Sequence, residues 1–84
     1  MEICYITFRS VTYAQRGEKE LQKYGVRAAL LRTPKWMESQ GCGYSLRIHT
    51  EDLLAVISLL REKGVIFRRV YVQNQEGGLE EVTI

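Results

Sequence analysis

Residues 44–72, "YSLRIHTEDLLAVISLLREKGVIFRRVYV", decide the fold, because they hold a strand, a capped helix and a second strand in one uninterrupted run. Tyr44, Leu46 and Ile48 alternate with Ser45, Arg47 and His49, the period of a strand with one buried face. Thr50 is suited to cap the helix that follows, and Glu51 and Asp52 suit the positive end of its dipole. Leu53, Val56, Ile57 and Leu60 then mark one apolar face, and Arg61, Lys63 and Gly64 close a helix over about 51–63. The β-branched and aromatic run 65–72 reads as the next strand. Arg68 and Arg69 are adjacent in it, so a regular strand points them to opposite faces.

Toward the N-terminus the same pattern of strand and helix is found. "ICYITF", 3–8, is a buried strand by composition, and Thr12 with Gln15 forms a capping-box pattern. Ala14, Gly17, Leu21 and Tyr24 recur at helical spacing up to the stop at Gly25, which predicts a helix over 12–24. A glycine inside a helix costs about 1 kcal/mol relative to alanine, so Gly17 marks a close approach of helix to sheet. "VRAALLRT", 26–33, is a strand that Pro34 ends, and 34–43 has no sustained period and reads as a loop. Beyond 72, "NQEGG" signals a turn, and "LEEVTI" is either a short edge strand or a frayed tail.

The order is therefore β-α-β-β-α-β with an optional fifth strand. This predicts an α+β two-layer sandwich of the ferredoxin-like kind, an antiparallel sheet with both helices on one face. With 84 residues the chain has room for one core, so residues 1–84 read as one domain, its core about 2–72 and an edge strand or tail over 73–84. The other sheet face is left bare. Arg27, Ala29, Leu31, Ser45, Arg47 and His49, or their alternates, must cover it, and an uncovered sheet face or last strand invites a homodimer.

Composition limits the function classes. No apolar run approaches the roughly 18 residues of a membrane span, and Glu2 stands where a secretory signal would carry a basic residue, so a cytoplasmic protein with no membrane role is expected. Twelve basic and 10 acidic residues are spread along the chain, which gives no strong pull toward nucleic acid. Cys4 and Cys42 belong to no CxxC pair or Cys/His cluster, so neither a metal site nor a cofactor is expected. Paired carboxylates, a Ser/His/Asp set and a phosphate loop are all missing, which argues for a carrier or accessory protein over a self-contained enzyme.

What chemistry there is centres on Cys42. Gly41 and Gly43 strip side-chain bulk from both sides of its thiol, and Lys35 lies nearby in sequence. An accessible cysteine with local positive charge is the setting of a nucleophile, whereas a small apolar residue in a glycine-rich turn would look the same. Cys4 sits inside the first strand and reads as a buried, inert thiol. His49 is seven strand residues from Cys42, roughly 20 Å if fully extended, so it reads as solvent-facing and not as a partner of the thiol. Trp36 and Met37, in the loop, would either tuck onto the domain or meet a partner.

The segments "YITFRSVTYAQRGEKELQKYGV", "LLRTP" and "GCGYSLRI", in that order, resemble the family of small bacterial selenium/sulfur carrier-like domains. The resemblance runs from Ile3 to about Val72 and is carried by Phe8 with Ser10, Ala14, Glu18, Gly25, Pro34 with a basic neighbour, and Cys42-Gly43. This chain has Lys35 where the family usually has Arg, and it has Gly41 directly before the thiol. The resemblance implies that Cys42 accepts sulfur, or selenium, as a persulfide or its analogue from a donor enzyme and passes it to an acceptor protein. Gly41, Gly43, Pro34, Lys35 and Arg32 would then form the surround of the thiolate. The alternative is a noncatalytic ligand-sensing or dimerisation module that uses the bare sheet face and the 34–43 loop.

Overall fold

The computed structural model describes residues 2–33 and 43–83. Five strands, β1 (Glu2–Phe8), β2 (Arg27–Arg32), β3 (Tyr44–Thr50), β4 (Val70–Gln73) and β5 (Leu79–Val82), form one sheet in the order β2-β3-β1-β4-β5. Every neighbouring pair is antiparallel. Helix α1 (Val11–Lys23) joins β1 to β2, and α2 (Leu53–Glu62) lies between β3 and β4. Among the described residues no helix is long and apolar enough to cross a membrane.

Register sorts the side chains. Ile6 faces Leu46 and Val70 across the ladders, Cys4 faces Ile48 and Val72, and Ala28 and Leu30 continue the same rows into β2. These positions, with Phe8, make one apolar core that also takes Ala14 and Leu21 from α1 and Val56, Ile57 and Leu60 from α2. Because strand side chains alternate, Ile3, Tyr5, Thr7, Ala29, Ser45, Arg47, His49 and Tyr71 point the other way. Gly17 is buried where α1 meets the sheet: a Cβ there would lie 3.2 Å from Leu46 Cδ1 and 3.4 Å from Phe8 Cζ. The close approach expected at this glycine is what the packing requires.

The helix starts differ from expectation by a turn's chemistry. Helix α1 is capped by Ser10, whose Oγ accepts the Thr12 N–H at 3.1 Å, so Thr12 lies inside the helix instead of before it. In α2 the cap is Asp52, whose carboxylate accepts the Ala55 N–H at 3.1 Å, while Thr50 Oγ1 accepts the Asp52 N–H at 3.0 Å and shapes the approach. A cap must sit immediately before the first helical residue, and the two candidates are only two residues apart in sequence. Asp52→Ala is expected to cost about 1 kcal/mol in denaturant unfolding, with Thr50→Ala costing less.

The fourth strand is shorter than the apolar run suggests. Regular pairing begins at Val70, because the chain bulges just before it. The Thr7 N–H donates to Arg69 O at 2.8 Å, yet the N–H that reaches Thr7 O, at 2.7 Å, comes from Arg68. Two residues thus oppose one, and the Arg69 N–H is taken up by the Thr7 side chain, Oγ1, at 3.1 Å. The strict alternation of Arg68 and Arg69 is lost, and both line one groove of about 540 Å³ with Arg61, Phe67 and Glu81. The last segment is a strand, β5, paired with β4 from Val70↔Val82 to Gln73↔Leu79.

The other sheet edge is covered from the helix side. Glu18 Oε2 accepts the Leu30 N–H at 3.1 Å, and Gln22 Nε2 donates to Ala28 O at 3.3 Å, so α1 satisfies backbone groups of β2 that, among the described residues, no further strand pairs.

Candidate functional site

Three chain segments converge at one end of the sheet. The register places Phe8, Tyr44 and Arg32 side by side, so β1 leaves, β3 enters and β2 leaves at the same level. Immediately past them, Thr33 N–H donates to Gly43 O at 3.0 Å, which extends the β2–β3 ladder by one step. Gly43 is buried here, and a Cβ on it would stand 3.2 Å from Phe8 O and 3.6 Å from Thr33 Oγ1. Glycine at 43 lets the β1 backbone come this close.

The electrostatics of this end are positive. Arg9 and Arg32 are exposed there, and α1 begins at Val11, so the partial positive charge of its N-terminal amides is directed to the same end. Below the surface lie hydroxyls. Thr7, Thr33 and Ser45 are buried, with Thr7 engaged in the bulge and, among the described residues, no hydrogen-bond partner for Thr33 Oγ1 or Ser45 Oγ. Register puts Ser45 opposite Thr7 on one side and Leu31 on the other.

Of the residues singled out from sequence, Arg32 and Gly43 are brought together at this end. Cys42, Gly41, Lys35 and Pro34, with Trp36 and Met37, lie outside the described residues. His49 sits on β3 opposite Ile3 and Arg27, six residues along the strand from Gly43 and toward its far end. Cys4 is fully buried between Ile48 and Val72, and burial, with a smaller contribution from the negative charge of Glu2, raises its thiol pKa. A thiol held protonated and shielded from solvent is a poor nucleophile, so the described cysteine belongs to the core and not to the site.

Sequence reasoning missed Arg9, the amide end of α1 and the three buried hydroxyls. The hydroxyls did carry a signal: Thr7 and Ser45 occupy the alternate positions of β1 and β3 that the core does not use. Nothing local shows that they face each other.

The described residues define a small α+β domain with a positively charged sheet end around Gly43. The model of the family described as putative Se/S carrier protein-like matches residues 3–72, and the chain belongs to that family. No curated protein and no solved structure matches it.

Proposed function

We propose that this protein carries sulfur, or selenium, on Cys42. The observation that carries the reading is the sheet end around Gly43, to which Cys42 is bonded: Arg9, Arg32 and the α1 amide end all supply positive potential there. Such a setting favours thiolate over thiol, and the thiolate is the attacking species. In the step proposed, the Cys42 thiolate attacks the outer sulfur of a donor enzyme's persulfide. The donor's own sulfur leaves as thiolate, and Cys42 becomes the persulfide; transfer to an acceptor protein reverses the roles. No external oxidant or reductant enters the exchange. Lys35 and Arg32 would balance the charge, while Gly41, Gly43 and Pro34 would keep the approach open. The domain is read as ferredoxin-like, both helices on the core face, on the support of the β2-β3-β1-β4 order and of the single core they share. A cytoplasmic, reducing setting suits this chemistry.

The test is intact mass after incubation with a cysteine desulfurase and cysteine. Wild type should gain one sulfur that dithiothreitol removes, and Cys42→Ser should gain none. A wild-type mass that never changes, while an established carrier is loaded in the same tube, would sink the proposal.

A further inference from the structure

The sheet face turned away from the core has a composition of its own. Register lays it out in rows: Ala29, Arg47, Tyr5, Tyr71 and Glu81 run side by side from β2 to β5. Beside them lies a second row of Arg27, His49 and Ile3. Arg27 and Arg47 are exposed, and Tyr5, Tyr71 and His49 are partly exposed. Two tyrosines are thus direct cross-strand neighbours at the centre of the sheet, with an arginine on the next strand and a second arginine and a histidine one row away. Glu81, on the outermost strand, is the carboxylate of these rows. Glu18, Glu20, Glu51, Asp52 and Glu62, on or beside the two helices, are matched there by Arg16, Lys19, Lys23, Arg61 and Lys63, whereas this face sets Arg27 and Arg47 against Glu81.

We propose that this face binds single-stranded nucleic acid, with unpaired bases stacked on Tyr5 and Tyr71 and phosphates held by Arg47, Arg27 and His49. The chemistry matches on both counts. Aromatic rings on adjacent central strands give a platform for successive bases, and each stacked base contributes roughly 1–3 kcal/mol. The guanidinium groups satisfy phosphate oxygens that a neutral face would leave unpaired. This inference stands apart from the chemistry of Cys42.

The experiment is fluorescence anisotropy of a labelled oligouridylate of about 12 nucleotides, a length within the usual range of single-strand site sizes. Wild type should bind with a dissociation constant of roughly 10⁻⁴–10⁻⁶ M and weaken as salt rises. Tyr5→Ala should weaken binding roughly 5- to 150-fold, and Tyr5→Phe, which keeps the ring, should restore it. Arg47→Gln should lower the salt slope by about 0.7. Circular dichroism melts confirm that each variant remains folded. Equal binding to a poly-glutamate of similar charge or to duplex of the same length would overturn the proposal, since neither offers unpaired bases. So would an absence of binding up to about 1 mM protein, or sedimentation as a dimer that Tyr5→Ala dissociates without any effect on oligonucleotide.

Discussion

Phe8→Ala is expected to lower the unfolding free energy by about 3–5 kcal/mol. The ring is 1 % exposed, at the last position of β1, and its Cζ lies against Gly17 of α1. Removing it loses transfer energy and leaves a cavity beside Gly17, which has no side chain to fill it. A domain of this size has only about 4–13 kcal/mol of stability in all, so the variant stands near the threshold of folding. Thermal melting should show a fall in Tm of more than about 10 °C. A fall of less than about 4 °C would show that the junction of α1, β1 and β3 is loosely packed. The same substitution also bears on the proposed site, because Phe8 O is the group against which Gly43 is seated.

Alkylation should separate the two cysteines by a factor of at least about 100. Cys4 has no solvent exposure and a raised thiol pKa, so reagent reaches it only when β1 opens, and the population of that state is small. Iodoacetamide at pH 8 should therefore give a single adduct rapidly, absent in Cys42→Ser, and a second adduct only in denaturant. Two adducts forming at similar rates in wild type would contradict the burial of Cys4. The pKa shift of Cys4 has a second consequence. Its folded pKa lies above the ordinary value of 9.0, so above that pH the unfolded chain binds fewer protons than the folded one. This contribution to stability is full below pH 9 and is lost as pH rises toward the folded pKa. Urea midpoints should decline across that alkaline range in wild type, and less steeply in Cys4→Ala.

The structure gives several of the residues that carry the sequence resemblance a physical role. Ser10 is the cap of α1, Ala14 is in the core, and Glu18 satisfies the Leu30 N–H at the sheet edge. Phe8 and Gly43 meet where the proposed site begins. Cys42 is the residue to which the proposed function assigns the chemistry.

Sequence alone determined the elements and the core, since alternation along β1 and β3 and the helical spacing of Ala14, Leu21, Val56, Ile57 and Leu60 are local patterns that burial imposes. It also marked Gly17 as a contact, and it singled out Cys42-Gly43 as the candidate for chemistry that the proposed function takes up. Three things were decided only by tertiary structure. The first is the bulge at Arg68 and Arg69, which depends on the Thr7 hydroxyl 62 residues away in sequence. The second is the gathering of Arg9, Arg32 and the α1 amide end around Gly43, which needs the register of three strands. The third is the Tyr5–Tyr71 row with Arg47 beside it, on strands far apart in the chain and adjacent in the sheet. Each depends on pairing between distant segments, and periodicity reports which face a residue takes but not which residue stands opposite it.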